Sequence, residues 1–373
     1  MNSSQTSFFV DCHLFDKGFQ GTRTYIQGLY LELIKDTDKK FYFAAVDIEN
    51  LKSIFGNHDH VFYIKYRSNN PIFRLLFEIP YIIKKHTIKY AHFQYRVPPI
   101  KLCNYILTTH DVLFEDYPEY FPKLNRIECF YTYKFSAKLS DIVFTVSEYS
   151  KKQIEKHLKV KDVVVMPNGV DTVFFENYDK EAIQKKILEE YGIANYFVFI
   201  SRWEPRKNHH LALSVFNKLA LYKNHFLVFI GDDTFKNKEY DKIHNSLSSE
   251  AQQKVIILKR VGFEKMIALL RGASVAIYPS KAEGFGIPPL ESIAAGIPTI
   301  TSNSTAMSDF DFVNQYSFNP SDEKEFTEKW QMVIDKKDSD SNTKIDIIKQ
   351  RYNWKLAATI FNETLKKFSL TDS

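Results

Sequence analysis

Two acids stand eight residues apart in the stretch KAEGFGIPPLESIAAG (281–296): Glu283 in a glycine-rich loop and Glu291 on the expected first turn of a helix. Pro288 and Pro289 suit a first helical turn, where a missing N–H costs nothing, and Gly296 is placed to end the helix. Gly284 and Gly286 let the backbone of Phe285, Gly286 and Ile287 approach a ligand and aim N–H groups at phosphate oxygens. Phosphate repels carboxylate, so Glu283 and Glu291 call for neutral partners rich in hydroxyls. A ribose diol and a sugar ring meet that need. The plainer alternative has Glu291 complementing a helix dipole and Glu283 capping a turn.

Other polar groups fall at similar junctions. YFVFISRWEPRKNHH puts Arg202 just after an apolar run and Lys207 just before a helical pattern, an anion site suited to a diphosphate. Taken alone, two cations in a loop are as readily solvated. In HLFDKGFQGTRTY, Gln20 and Gly21 open a helix after the first strand, where a glycine lets backbone press against phosphate. YILTTHDVLFEDYPEY ends a strand on His110 and Asp111. His110 either titrates or bonds a substrate hydroxyl there, or is satisfied by packing and a backbone carbonyl.

The elements that must hold these groups read as alternating strands and helices, the pattern of parallel sheets. Strands are expected at 7–11, 40–46, 60–66, 105–110, 141–146 and 162–167, then at 196–201, 226–231, 254–258, 274–279 and 298–302. The turn cluster PNGVD (167–171) separates the series. Two doubly wound α/β domains are therefore expected, 1–171 and 172–351, facing across a cleft. The chain has 373 residues, more than one core usually serves.

Composition, 44% hydrophobic and 25% charged, is that of a soluble globular protein, with no apolar run long enough to span a bilayer. The N-terminus reads as a first strand and not a signal peptide. Cys12, Cys103 and Cys129 are scattered and form no metal-ligand spacing, which points to a reduced, cytoplasmic setting. Asp-x-Asp triplets occur at 36/38, 309/311 and 338/340, two in hydrophilic turns and one after a polar loop; chance composition accounts for them better than a metal site, so no metal is expected.

The net charge of +5 arises in the first half: residues 1–170 carry 23 basic against 18 acidic residues, the remainder 27 against 27. The excess concentrates between Lys65 and Lys101, where the stretch 69–89 mixes Phe73, Leu76, Phe77, Ile79 and Ile82 with Arg74, Lys84, Lys85 and Lys89. Two readings hold together: a core-packed amphipathic helix with a solvated basic end, and a surface for an anionic membrane. Nucleic acid is disfavoured, since no arginine-rich stripe appears.

The ordered set QGTRTY, THDVLFEDYPEYF, TVSEYSKKQI, MPNGVD, SRWEPRKN and PSKAEGFGIPPLESIAAGIP, down to a late RYNWKLAA (351–358), resembles the retaining glycosyltransferases of family 4, with the GT-B fold of two Rossmann-like domains. The 279–298 block is the most specific, and the His-Asp plus Tyr-Pro-Glu pairing leans toward bacterial surface-polysaccharide and O-antigen mannosyltransferase-like enzymes. The resemblance implies an acceptor-binding first domain, with a C-terminal helix (352–373) packing back on it, and a nucleotide-sugar-binding second domain. It implies that Arg202 and Lys207 bind the diphosphate of the sugar nucleotide, that Glu283 holds its sugar and Glu291 its ribose, that Gly21 lies against phosphate, and that His110 lies near the anomeric centre. Gln20 and Asp111 remain candidates for the acceptor side.

GDP-mannose is the favoured sugar nucleotide, UDP- and dTDP-sugars are alternatives, and a lipid-linked glycan on the inner face of the cell membrane is the expected acceptor. A sugar-nucleotide epimerase would lack the SRWEPRKN and EGFGIPPLE pairing, and a non-catalytic subunit would be expected to have lost some of these groups. Two positions depart from the family pattern: Gln20-Gly21 replaces a paired glycine, and Ser308-Asp309 stands where Pro-Glu is common.

Overall fold

The computed structural model describes residues 5–16, 21–232, 237–335 and 341–371. It divides into two compact units, Met1–Gly169 with Tyr352–Ser373, and Val170–Arg351. The first holds a parallel sheet ordered β3-β2-β1-β4-β5-β6-β7, from β1 (Thr6–Asp11), β2 (Lys39–Ala45), β3 (Val61–Lys65), β4 (Tyr90–Gln94), β5 (Asn104–Thr108), β6 (Ile142–Thr145) and β7 (Val164–Val165). The second is ordered β10-β9-β8-β11-β12-β13, from β8 (Tyr196–Ile200), β9 (Phe226–Ile230), β10 (Val255–Leu258), β11 (Val275–Tyr278), β12 (Thr299–Ser302) and β13 (Ser317–Phe318). Near-continuous apolar runs such as FFV and FLVFI suit strands covered on both faces.

In each sheet the chain walks outward over three strands and then returns beside the first. The returning pairs, β1 with β4 and β8 with β11, leave a gap between diverging loops at their carboxyl ends. Such switch points are where open α/β sheets bind ligands.

Two strands escaped the sequence reading. β4, YAHFQ, lies mid-sheet although His92 and Gln94 interrupt its apolar pattern. Both side chains are buried and paired: His92 Nδ1 lies 2.8 Å from Tyr30 Oη, and its Nε2 lies 2.8 Å from Thr108 Oγ1. The other strand, β13, is only two residues long. The strand expected to end on His110 ends at Thr108, which leaves His110 and Asp111 in the following loop.

Residues 71–85 form one helical segment, α-helical over Pro71–Phe73 and Ile79–Lys85 with a π-turn at Arg74–Glu78. Pro80 has no N–H to complete an α-helical bond, and the π-turn accommodates the resulting break. Arg74, Glu78, Ile79, Ile82 and Ile83 turn inward, while Ile72, Phe73, Leu76, Phe77 and Tyr81 are exposed. The core-packed reading of this stretch therefore describes one face of it, and the other face is uncovered.

The helix Trp354–Thr371 packs on the first unit. A Cβ on Gly28 would stand 2.0 Å from the Trp354 ring, and one on Gly169 would stand 2.5 Å from the Trp354 backbone. Phe361 reaches the rings of Phe8, His92 and Phe144, on β1, β4 and β6.

Candidate active site

In the second unit, the loops after β8 and β11 are tied together at the switch point. Arg206 Nη1 donates to Ala282 O at 2.6 Å, and Lys281 N–H donates to Arg206 O at 2.7 Å. Across this junction Glu283 receives two cations: Lys207 Nζ lies 2.5 Å from its Oε1, and Arg206 Nη1 lies 2.9 Å from its Oε2. Glu204 completes the cluster, with Arg206 Nη2 at 2.6 Å and Arg202 Nη2 at 2.7 Å. Lys207, Arg206, Glu204 and Glu283 have nearly buried side chains, whereas that of Arg202 is 50% exposed.

Burial alone would raise the Glu283 carboxyl, but Lys207 and Arg206 overturn that penalty and hold it at about 2. Burial likewise lowers Lys207, against the pull of Glu283. The cluster thus presents a permanently ionised acid and fixed positive charge beyond the strand ends.

Beside it, Gly286 adopts φ 99 and caps the helix Ile287–Ala294. Pro288 and Pro289 carry no N–H, so the amides at this helix end belong to Ile287 and the glycine loop before it. Glu291 is the fifth residue of the helix and so falls on its second turn, one turn later than the sequence reading placed it. Burial, with Asp171 nearby, pushes its carboxyl up to about 8, so two acids eight residues apart differ in charge at neutral pH.

The loop containing Ser308 and Asp309 has a clear local role. Its 3-10 turn Thr305–Asp309 clamps the backbone of Glu283: Thr305 Oγ1 accepts from Glu283 N–H at 2.8 Å, and Ala306 N–H donates to Glu283 O at 3.3 Å. Arg206, Glu204 and Thr305 were missed in the sequence. EPRKN offers several charges, and nothing in their order shows which ones the turn directs at Glu283.

In the first unit, His110 is buried and Nε2–H donates to Gln94 Oε1 at 2.7 Å. Its ring meets that of Tyr25 edge-on, centroids 4.9 Å apart. Burial drives its pKa down to about 3, so His110 is a neutral imidazole and does not titrate near neutrality. Asp111 Oδ1 accepts from Leu113 N–H at 3.2 Å. Gly21 begins the helix Gly21–Leu33, and a Cβ there meets nothing within 4 Å among the described residues, so none of them demands glycine. Gln20 lies outside the described residues.

A pocket of about 450 Å³ sits at the carboxyl ends of β1 and β4, lined by His13, Arg74, Gln94, Tyr95, Arg96 and Tyr133 among others. Tyr95 and Tyr133 stack at 4.9 Å, and Gln94 Nε2 is buried without a hydrogen-bond partner among the described residues. Below the pocket, Asp11 is buried against Arg74 and His13 and accepts from Tyr66 Oη at 3.0 Å. Burial would raise its carboxyl, but those neighbours hold it well below the usual range.

Residues 33–174 match the family model described as Glycosyltransferase Family 4, and residues 179–352 match Glycosyl transferases group 1. The chain belongs to the glycosyltransferases. It is similar to the O-antigen chain mannosyltransferase RfbU of Salmonella typhimurium, 30% identical over 235 residues that cover 62% of this chain and 60% of that one. It is also similar to O-antigen chain mannosyltransferase B of Escherichia coli, 26% identical over 219 residues, 56% and 55% of the two chains. The chain thus spans three fifths or less of the length of these two curated relatives. Among solved structures, a glycosyltransferase from Rickettsia africae aligns over 100% of both chains with a TM-score of 0.76 at 18% identity. Anabaena Alr3699/HepE in complex with UDP-glucose aligns over 97% of this chain and 99% of that one, at 0.73 and 16%. These neighbours share the GT-B fold of two Rossmann-like domains.

Proposed function

We propose that this glycosyltransferase moves a hexose, with retention, from a nucleotide-diphosphate sugar to a hydroxyl of a growing bacterial surface glycan. The observation that carries the reading is the Arg206–Glu283–Lys207 cluster beyond β8 and β11, next to the glycine loop that opens the helix Ile287–Ala294. Fixed cations and backbone amides there favour a diphosphate, and an ionised carboxylate oriented by both cations accepts hydrogen bonds from sugar hydroxyls. Glu291 serves the ribose diol, and Arg202 adds a more exposed cation for the phosphates.

In the reaction, the bond from the anomeric carbon to the diphosphate breaks and the acceptor oxygen bonds on the same face. The departing phosphate oxygen takes the acceptor's proton. Charge stabilisation of that leaving group is the largest catalytic contribution. Side-chain cations supply it, so the reaction is proposed to need no metal.

The first unit takes the acceptor: the Tyr95–Tyr133 pair offers an aromatic wall and Gln94 Nε2 an unused hydrogen for a sugar hydroxyl, with His110 fixing the Gln94 amide from behind. Asp111, in the loop after β5, serves the same side. The expected acceptor is lipid-linked, which places the transferase on the cytoplasmic face of the cell membrane, held in part through residues 71–89.

GDP-mannose is favoured because the relatives above are named as mannosyltransferases; a UDP-sugar, as in the HepE complex, is the alternative. Thermal-shift measurements with GDP, UDP and dTDP test the reading. GDP well above its dissociation constant is expected to add ~2–4 kcal/mol of stability. A larger shift with UDP moves the reading to a UDP-sugar, and no shift with any of the three removes the nucleotide-sugar reading altogether.

A further inference from the structure

The backbone of residues 280–283, the run that ends on Glu283, is held from two sides. From the loop after β8, Arg206 O accepts from Lys281 N–H at 2.7 Å and Arg206 Nη1 donates to Ala282 O at 2.6 Å. From the loop after β12, Ser302 Oγ donates to Ser280 O at 2.6 Å and Ser304 Oγ to Lys281 O at 2.8 Å. Thr305 Oγ1 then accepts from Glu283 N–H at 2.8 Å, and Ala306 N–H donates to Glu283 O at 3.3 Å. A loop after a strand is ordinarily the mobile part of a sheet; this one is fastened residue by residue.

Thr305 makes its contact from a strained backbone. It is buried and adopts φ 54, in the left-handed region where a β-branched side chain is crowded and glycine is at ease. Such strain persists where the surroundings hold it, and it gathers at functional sites. The hydroxyl accounts for a threonine here: Oγ1 donates its proton to Ser304 O at 2.7 Å and so turns a lone pair toward Glu283 N–H. Glycine would relax the backbone and lose that bond, whereas valine would keep the crowding and lose it too.

The same 3-10 turn backs the glycine loop. A Cβ on Gly286 would stand 3.0 Å from Met307 Cγ and 3.3 Å from the Phe310 ring, and Phe285 meets Phe310 edge-on with centroids 5.9 Å apart. Glu283 is thus gripped at its carboxylate by Lys207 and Arg206 and at its backbone by Thr305. Without the hydroxyl, the carboxylate still finds its cations but hangs from a looser main chain.

We propose that Thr305 is a positioning residue for sugar transfer: its hydroxyl fixes the main chain of Glu283, and thereby where the carboxylate meets the sugar, without touching substrate itself. The proposal rests on the reading of Glu283 as the acid that holds the transferred sugar.

Three variants of the whole protein test it: Thr305→Ser, Thr305→Val and Thr305→Gly. Turnover is read as nucleoside diphosphate released from GDP-mannose or UDP-glucose, nucleotide affinity by calorimetry, and stability by melting temperature. Displacement of a reacting group by ~1 Å costs on the order of 100-fold, so Thr305→Val and Thr305→Gly should each lose ~10- to 100-fold in turnover, while Thr305→Ser stays within about threefold of wild type. Nucleotide affinity should be unchanged in all three. Melting temperature should follow the backbone instead, with Thr305→Gly above Thr305→Val and Thr305→Ser at or above wild type. Turnover that ranks the variants as melting temperature does makes Thr305 a structural residue only and overturns the proposal, as does full turnover in Thr305→Val. Amide exchange over residues 281–287, expected to quicken in Thr305→Val, separates this failure from that of the function itself. A wild type inert with every sugar nucleotide, whose 281–287 exchange still quickens in Thr305→Val, removes the transferase reading and leaves a clamp without a catalytic purpose; unchanged exchange removes the clamp.

Discussion

Lys207 Nζ lies 2.5 Å from Glu283 Oε1, with Arg206 holding the other oxygen, so the acid assigned to the sugar is oriented by the cations assigned to the phosphates. The proposed sugar and phosphate contacts are thereby linked through one carboxylate. Glu283→Gln keeps the shape and removes the charge; it is expected to lower turnover while leaving affinity for free nucleotide nearly intact. Glu291→Ala, by contrast, should weaken nucleotide binding. Equal losses of nucleotide affinity in the two variants, by calorimetry, would refute this division.

Lys207→Ala removes one preorganised charge from the leaving group and should cost about 100- to 1,000-fold in turnover, or ~2.7–4 kcal/mol. The wild-type rate is expected to persist in excess chelator. Loss of activity with chelator and its return with magnesium or manganese would show that side-chain cations do not suffice.

Glu291 has its carboxyl raised to about 8. The native state therefore holds a proton that the unfolded chain releases near pH 4.5, and the associated stability is full below that pH and lost as pH rises toward 8. Glu291→Gln cannot ionise, so its melting temperature relative to wild type should climb between pH 5 and pH 8. If the ionised carboxylate holds the ribose diol, nucleotide binding at pH 7 must also release protons, visible as a buffer-dependent heat. A melting difference that stays flat with pH argues against the raised carboxyl.

His110, held near 3 by burial, is neutral throughout the working range. Turnover should show no ionisation near pH 6.5 that disappears in His110→Asn. In stability the sign is opposite to Glu291: from about pH 6.5 down to 3 the unfolded chain gains a proton that native His110 refuses, so stability falls as pH falls. His92 and His209, also lowered to about 3, add to the same loss.

Gly28→Ala would ordinarily favour a helix by about 1 kcal/mol. Here the new methyl meets the Trp354 ring at 2.0 Å, and overpacking of this kind costs ~1–3 kcal/mol, so a lower melting temperature is expected. A raised one would mean that Trp354 can move away without loss.

Most strands were legible because they are apolar runs bounded by turn residues. β4 was not, because pattern reading discounts polar residues and cannot see that His92 finds Tyr30 and Thr108 across the sheet. Glu283, Lys207 and Glu291 stood out through their glycine, proline and charge context. The partnership of Glu283 with Arg206 joins residues 77 apart, and only the parallel neighbours β8 and β11 bring them together. Local sequence shows which residues sit at strand ends, whereas strand order decides which ends are adjacent. That 71–85 could have an exposed apolar side was legible, but which of its apolar residues face the sheet was not, because one π-turn decides it.

The return of Trp354 and Phe361 to the first unit bears on how the chain is made. Domains usually fold in the order they leave the ribosome. Here residues 1–169 emerge first yet lack the rings that fill the spaces beside Gly28, Gly169 and Phe8 until Trp354 and Phe361 are synthesised. Val170–Arg351 contains its whole sheet in one uninterrupted stretch and can mature earlier. A released chain that stops at residue 351 should therefore protect Val170–Arg351 from protease while its first half stays open to cleavage.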